Sequence, residues 1–289
     1  MYYANLMIHN FPDFALGYNS RGSIKISLNK IEEGICDFDT AIALAPEFPF
    51  CYANRGWADA QIKRYEEAIA DFGTLLKHQP WDSKIYCQRG YAKYSMRNYN
   101  EAIIDFNKAI QLGHNMPHTY ENRGLTNNKL KRFKEAIKDF NNALKIDPNY
   151  AAVYADRGFA NTGLKQYEQA IKDFDQAIKI SPNQPLYYNN RAGAKLNLGL
   201  KNDAIIDYET AVALSNHKDP VFIRQLEGAK RSNIQPPQTF WRKYYRIGYA
   251  FILILLAYLT YRYKRTGKPQ PNAPKSKQQK GFRELKKRK

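Results

Sequence analysis

Residues 86–110 read YCQRGYAKYSMRNYNEAIIDFNKAI, and this stretch returns in outline every 34 residues. An Arg-Gly pair stands at Arg21-Gly22, Arg55-Gly56, Arg89-Gly90, Arg123-Gly124 and Arg157-Gly158, with Arg191-Ala192 continuing the series. Laid out at that period from Ala15, position 4 is Tyr in every copy: Tyr18, Tyr52, Tyr86, Tyr120, Tyr154 and Tyr188. Position 20 is Gly34 or Ala, position 21 is always Ile, and position 24 is Phe38, Phe72, Phe106, Phe140, Phe174 and then Tyr208. Position 32 is Pro46, Pro80, Pro148 and Pro182, with His114 and Asn216 as departures.

Apolar positions 20, 21, 24, 27 and 28 have helical spacing and form one face, so each repeat reads as a pair of helices. Small residues at 8 and 20 let two backbones approach closely, and the large Tyr and Phe fill the space beside the crossing. Proline at 32 stops the second helix, because its ring blocks helical continuation and disfavours helix at the residue before it. One helix pair cannot bury both of its faces, so neighbours must stack.

This pattern, with small residues at 8 and 20, aromatics at 4 and 24 and proline at 32, resembles the tetratricopeptide repeat (TPR) family. The resemblance implies an all-α, right-handed solenoid of six repeats over 15–218, divided as 15–48, 49–82, 83–116, 117–150, 151–184 and 185–218. Position 11, often Tyr in the family, is instead Lys25, Asp59, Lys93, Asn127, Asn161 and Lys195. Residues 1–14 fit the second half of a preceding repeat, with Pro12 at its position 32. They are either a short N-terminal cap or the end of a longer array. The second is favoured, because a lone helix leaves Leu6, Met7 and Ile8 poorly covered. Residues 219–232 read as a solvating cap helix, and the prolines of 233–240 end it in a linker.

The resemblance further implies a concave face lined by the first helices, at positions 2, 5, 6, 9 and 13, that takes an extended peptide or a partner protein. Position 6 carries Asn54, Gln88, Asn122, Asp156 and Asn190, a ladder whose amides can pair with a peptide backbone without reading its sequence. The blander alternative is a solvated polar groove. Position 9 carries Trp57, Tyr91, Leu125 and Phe159, and Tyr94 lies beside them. These form either an apolar stripe for a partner or packing between successive first helices. The Lys and Asn clamp by which some TPR proteins hold chaperone C-termini is absent as a pattern, since position 5 reads Asn19, Ala53, Cys87, Glu121.

Arg at position 7 recurs with Asp at position 23: Arg21/Asp37, Arg55/Asp71, Arg89/Asp105, Arg123/Asp139, Arg157/Asp173 and Arg191/Asp207. Each Arg is expected to pair, partly buried, with the Asp of its own or the preceding repeat. One Asp per Arg neutralises the row, which argues against an anion site. The sequence "HNMPH", His114 to His118, reads as a plain turn with no Cys or further His near it in sequence. Glycine-rich phosphate loops, HExxH and nucleophile elbows are not found in the chain. The expectation is therefore a non-enzyme with no cofactor and no metal.

The chain has 289 residues and a net charge of +18. Twelve Lys/Arg and a single acid, Glu284, fall after Tyr261. The basicity belongs to the C-terminus and is not the footprint of a nucleic-acid-binding fold. Cys36, Cys51 and Cys87 lack metal-ligand spacing and do not report a compartment. The N-terminus lacks the form of a signal peptide.

Ile247 to Tyr261 carry no charge, and FILILL (251–256) is apolar all round a helix. Fifteen residues span about 22 Å, short of a hydrocarbon core of about 30 Å. Snorkelling Arg246 and interfacial Tyr244, Tyr245 and Tyr263 extend the span over 241–263 to crossing length. We therefore expect a transmembrane helix, the alternative being a helix docked on the array. Its topology stays open: the charge of the 264–289 tail places that tail in the cytosol, whereas the lack of an export signal keeps the array there, as in tail-anchored proteins. The tail reads as basic and disordered, able to meet anionic lipid. The functional expectation is a membrane-anchored scaffold. The alternatives are a basic-tailed soluble adaptor for nucleic acid or anionic lipid, and a substrate-selecting, non-catalytic subunit of an enzyme complex.

Overall fold

The computed structural model describes residues 1–232, and these form fourteen α-helices. The linker, the apolar segment 241–263 and the basic tail lie outside the described residues. Among the described residues, no helix is long and apolar enough to cross a membrane.

Helix α1 (Tyr2–Asn10) precedes six helix pairs. The first helices are α2 (Ala15–Ser27), α4 (Pro49–Gln61), α6 (Ser83–Ser95), α8 (Pro117–Lys129), α10 (Ala151–Gly163) and α12 (Pro185–Asn197). Their partners are α3 (Ile31–Leu44), α5 (Tyr65–His78), α7 (Tyr99–Gln111), α9 (Phe133–Ile146), α11 (Tyr167–Ile180) and α13 (Lys201–Leu214). Helix α14 (Pro220–Arg231) closes the array. Second helices end two residues before Pro46, Pro80, Pro148 and Pro182, and prolines open α4, α8, α12 and α14, where a missing N–H costs nothing.

In repeats 1 to 5 the two helices cross where Gly meets a Phe ring, and in repeat 6 Ala192 stands opposite Tyr208. A Cβ added at Gly124 would lie 2.6 Å from the Phe140 ring, and one at Gly22 would lie 2.7 Å from that of Phe38. Phe38, Phe72, Phe106, Phe140 and Phe174 are thereby fully buried. The core is a chain of small clusters, most of which join a repeat to the next. Ala136, Phe140, Ala143 and Leu144 of α9, for example, pack against Val153 and Ala160 of α10.

The turn inside each repeat has a feature that the sequence conceals. Position 15 has positive φ in all six copies: Asn29, Lys63, Arg97, Lys131, Lys165 and Gly199, from 58° to 77°. Each turn carries the paired hydrogen bonds of a Schellman cap, such as Arg132 N to Asn127 O (2.8 Å) and Lys131 N to Asn128 O (3.0 Å).

The array's ends differ. On α14, Phe222 and Ala229 face the array, whereas Arg224, Gln225, Glu227 and Lys230 face solvent. On α1, Ala4 is buried but Tyr2, Tyr3 and Leu6 are exposed, and Ile8 packs at Gly17.

Candidate binding groove

The arginine of position 7 joins three groups in most repeats. Its Nε and Nη2 grip the Asp of its own repeat: Arg55 holds Asp71 with two bonds of 2.8 Å, and Arg89 holds Asp105 at 2.9 and 2.7 Å. Of the two pairings that the sequence leaves open, the structure has the one within the repeat, and the carboxylates of Asp71, Asp105, Asp139 and Asp173 are 2–4 % exposed. The remaining nitrogen, Nη1, reaches position 25 of the preceding repeat. Arg55 meets Asp39 (2.6 Å), Arg123 meets Asn107 (2.7 Å) and Arg157 meets Asn141 (2.6 Å). Each guanidinium also lies over the Tyr of position 4, for example Arg157 5.3 Å from the Tyr154 ring centroid.

Position 11, one helical turn after the arginine, completes the set. Lys25, Lys93 and Lys195 pair with the same carboxylates at 2.7–2.9 Å. In their repeats Asn127 and Asn161 donate to Asp139 (3.0 Å) and Asp173 (2.8 Å). Repeat 2 breaks the rule with Asp59, a buried acid beside Asp71. Burial, then the charge of Asp71, pushes its pKa up to about 6.

First helices of neighbouring repeats touch one another, which puts them on the inner, concave side. Trp57, Gln88, Tyr91 and Asn122 line one cavity of about 470 Å³, together with Gln61 and the Phe72 ring. Trp57, Tyr91 and Phe159 are about half exposed. Leu125 differs from its column: it packs against the Phe140 cluster and offers a partner less surface. Asn54, at position 6, donates across the repeat boundary to Asn19 at position 5 (2.9 Å), so its amide is already engaged within the chain. Asn190 is half-buried and accepts only a long bond from its neighbour Asn189 (3.5 Å).

Further along, Asp156 and Glu121 form an acidic end. Burial, reinforced by the charge of Glu121, pushes Asp156 up to about 7. Glu121 accepts a bond from the Tyr150 hydroxyl, and burial raises its pKa too. Tyr94, half-buried, stands near Asp156 and Tyr99. Sequence reasoning missed Glu121 and Tyr150, although position 5 belongs to the inward columns.

Residues 83–112, 118–150 and 162–199 each match a family model described as tetratricopeptide repeat or TPR repeat. Those three stretches match tetratricopeptide repeats, and the helix pairs on either side follow the same 34-residue plan. Solved structures agree on the fold. A chain of the APC/C hetero-tetramer Cut9-Hcn1 superposes with a TM-score of 0.61 at 21 % identity, covering 78 % of this chain but only 45 % of its own length. YrrB, titled a TPR protein with an unusual peptide-binding site, gives a TM-score of 0.58 at 20 % identity over 64 % of this chain and 95 % of its own. A tetratricopeptide repeat protein from Parabacteroides merdae ATCC 43184 gives 0.57 at 18 % identity over 79 % and 90 %. Comparison with curated proteins finds no match.

Proposed function

We propose that this chain is a non-enzymatic scaffold that holds an extended segment of a partner protein in its concave groove, beside a membrane that 241–263 spans. The observation that carries the groove reading is the cavity between repeats 2 and 4. Half-exposed Trp57 and Tyr91 offer apolar area there, next to Gln88 and Asn122, for which no intramolecular side-chain bond is found among the described residues. Aromatic anchors beside free amides suit an extended peptide, whose side chains take the apolar area and whose backbone takes the amides. YrrB, with its peptide-binding site, supports the same use of the fold. The acidic end at Glu121 and Asp156 favours a partner that carries a basic residue beyond its apolar one, and pairing would return Asp156 to its charged form.

The membrane half of the reading rests on the uncharged run from Ile247 to Tyr261 between basic flanks. Two measurements test the halves separately. A random peptide library screened on the full-length protein should yield apolar-basic ligands that a Trp57→Ser, Tyr91→Ser variant no longer binds. Unchanged binding by that variant removes the groove reading. Carbonate extraction of cell membranes should leave the chain in the pellet, and release into the supernatant removes the anchor.

A further inference from the structure

Where repeat 3 departs from the repeat pattern, it gathers three metal-binding side chains. Position 32, proline in four repeats, is here His114. With no proline to stop it, α7 ends instead on Gly113 (φ 89°) in a cap of the Schellman kind, with His114 N bonded to Ala109 O (2.9 Å). Three residues on, Pro117 opens α8 and sets His118 in its first turn. Cys87 comes from α6. One ligand atom each of Cys87, His114 and His118 lie within 4.8 Å of one another. HNMPH folds as the turn that the sequence suggests, and the fold adds to it a cysteine that is distant in sequence, Cys87.

The surroundings fit ligation. Thr119 Oγ1 lies 3.5 Å from Cys87 Sγ, a contact of the kind that orients a ligand. In a tetrahedral zinc site, bonds of about 2.0–2.3 Å hold ligand atoms roughly 3.3–3.6 Å apart. The three atoms would therefore close by about 1 Å, within reach of side-chain rotation. Cys87 is buried and His118 exposed, so the cluster opens to solvent on one side.

We propose that Cys87, His114 and His118 bind a divalent ion of the Zn²⁺ class through one sulfur and two nitrogens, with the fourth position open. Binding forms one metal–sulfur bond and two metal–nitrogen bonds, and the Cys87 thiol releases its proton to solvent. Because Cys87 and His118 also wall the cavity of Trp57 and Tyr91, the open position faces the groove, where water or a donor atom of a ligand completes the shell. The ion would clip the 112–116 turn to α6 and so join repeats 3 and 4. The site does not depend on any partner docking in the groove.

The test is titration of reduced, tag-free, full-length protein with Co²⁺ and then Zn²⁺. One Co²⁺ per chain is expected, with a sulfur-to-cobalt charge-transfer band and tetrahedral ligand-field bands that Zn²⁺ abolishes. Cys87→Ser should remove the charge-transfer band, and His114→Ala or His118→Ala should weaken binding at least tenfold. Cys36→Ser with Cys51→Ser should change nothing. Should Cys87→Ser fail to fold, the tenfold loss of affinity on His118→Ala, at an exposed position, tests the proposal in its place. No thiolate band, a band that survives Cys87→Ser, an undiminished affinity in His118→Ala, or one ion shared by two chains overturns the proposal.

Discussion

Repeats 2 and 5 are built on one plan and differ in how completely their polar network is satisfied. In repeat 5, Arg157 grips Asp173, reaches back to Asn141 and lies over Tyr154, while Asn161 donates to the same carboxylate. In repeat 2, position 11 is the acid Asp59, which faces Asp71 instead of serving it. At the next boundary, position 25 is Gly73, so no side chain stands there for Arg89 Nη1. The groove cavity spans the half-satisfied seam, and the cysteine–histidine cluster stands at the next one, between repeats 3 and 4. Local stability is commonly given up where binding is gained, and this array places both within repeats 2 to 4.

The largest expected effect comes from breaking the satisfied network. Arg123→Met leaves Asp139 buried and charged without its bidentate partner, takes the contact from Asn107 and uncovers Tyr120. It should cost about 3–5 kcal/mol, the range for removing one partner of a buried pair. Arg89→Met should cost about 1 kcal/mol less, since it has no third contact at Gly73 to lose and Lys93 still pairs with Asp105. Denaturant unfolding of both variants checks the difference, with hydrogen exchange assigning the loss to its repeat. Equal losses would mean that the link to the preceding repeat contributes nothing.

Next comes the helix crossing. Gly124→Ala sets a Cβ 2.6 Å from the Phe140 ring and should cost about 2–3 kcal/mol. Repeat 6 is the internal contrast: it holds a fully buried Ala192 where position 24 is Tyr208. If Gly124→Ala leaves the melting temperature unchanged, the crossing in repeat 4 has the slack of repeat 6.

Much of this arrangement is legible in sequence because each repeat is a local unit. Tyr at 4, Gly at 8, Phe at 24 and proline at 32 announce two crossing helices, and the recurrence of Arg at 7 with Asp at 23 announces a pair. Contacts set by stacking are not legible in that way. Asp173 lies 16 residues after Arg157 and Asn141 lies 16 before it, and only the geometry between repeats shows that one guanidinium serves both. Cys87 and His118 meet for the same reason. Position 11 was the readable signal that went unused: Lys and Asn one turn after each Arg point to the same carboxylate, and Asp59 is the exception.

That exception gives the third prediction. The folded-state pKa of Asp59 is raised from 3.8 to about 6, so above pH 6 its charge opposes folding in full. The penalty shrinks as pH falls from 6 toward 3.8 and vanishes below, where folded and unfolded chains are both protonated. Asp59→Asn, which copies repeats 4 and 5, should therefore stabilise the protein by about 1–2 kcal/mol at pH 7–8. It should be nearly neutral at pH 4. Unfolding at the two pH values measures it, and a gain that does not depend on pH would assign the effect to packing.

The smallest effect concerns the six turns. Five hold a non-glycine residue at positive φ, and repeat 6 alone uses Gly199. Left-handed backbone costs an ordinary residue roughly 1–2 kcal/mol, while glycine adds about 0.5–1 kcal/mol of unfolded-state entropy. The two nearly cancel, so Lys131→Gly should stabilise by less than about 1 kcal/mol and Gly199→Ala should destabilise by about 1 kcal/mol. A loss on Lys131→Gly would mean that the Lys131 side chain contributes to the turn. A neutral Gly199→Ala would mean that the Schellman bonds, present in glycine and non-glycine turns alike, hold the backbone at little strain. The paired hydrogen bonds are the same in all six turns, which is how the Asn, Lys, Arg and Gly found at position 15 share one backbone conformation.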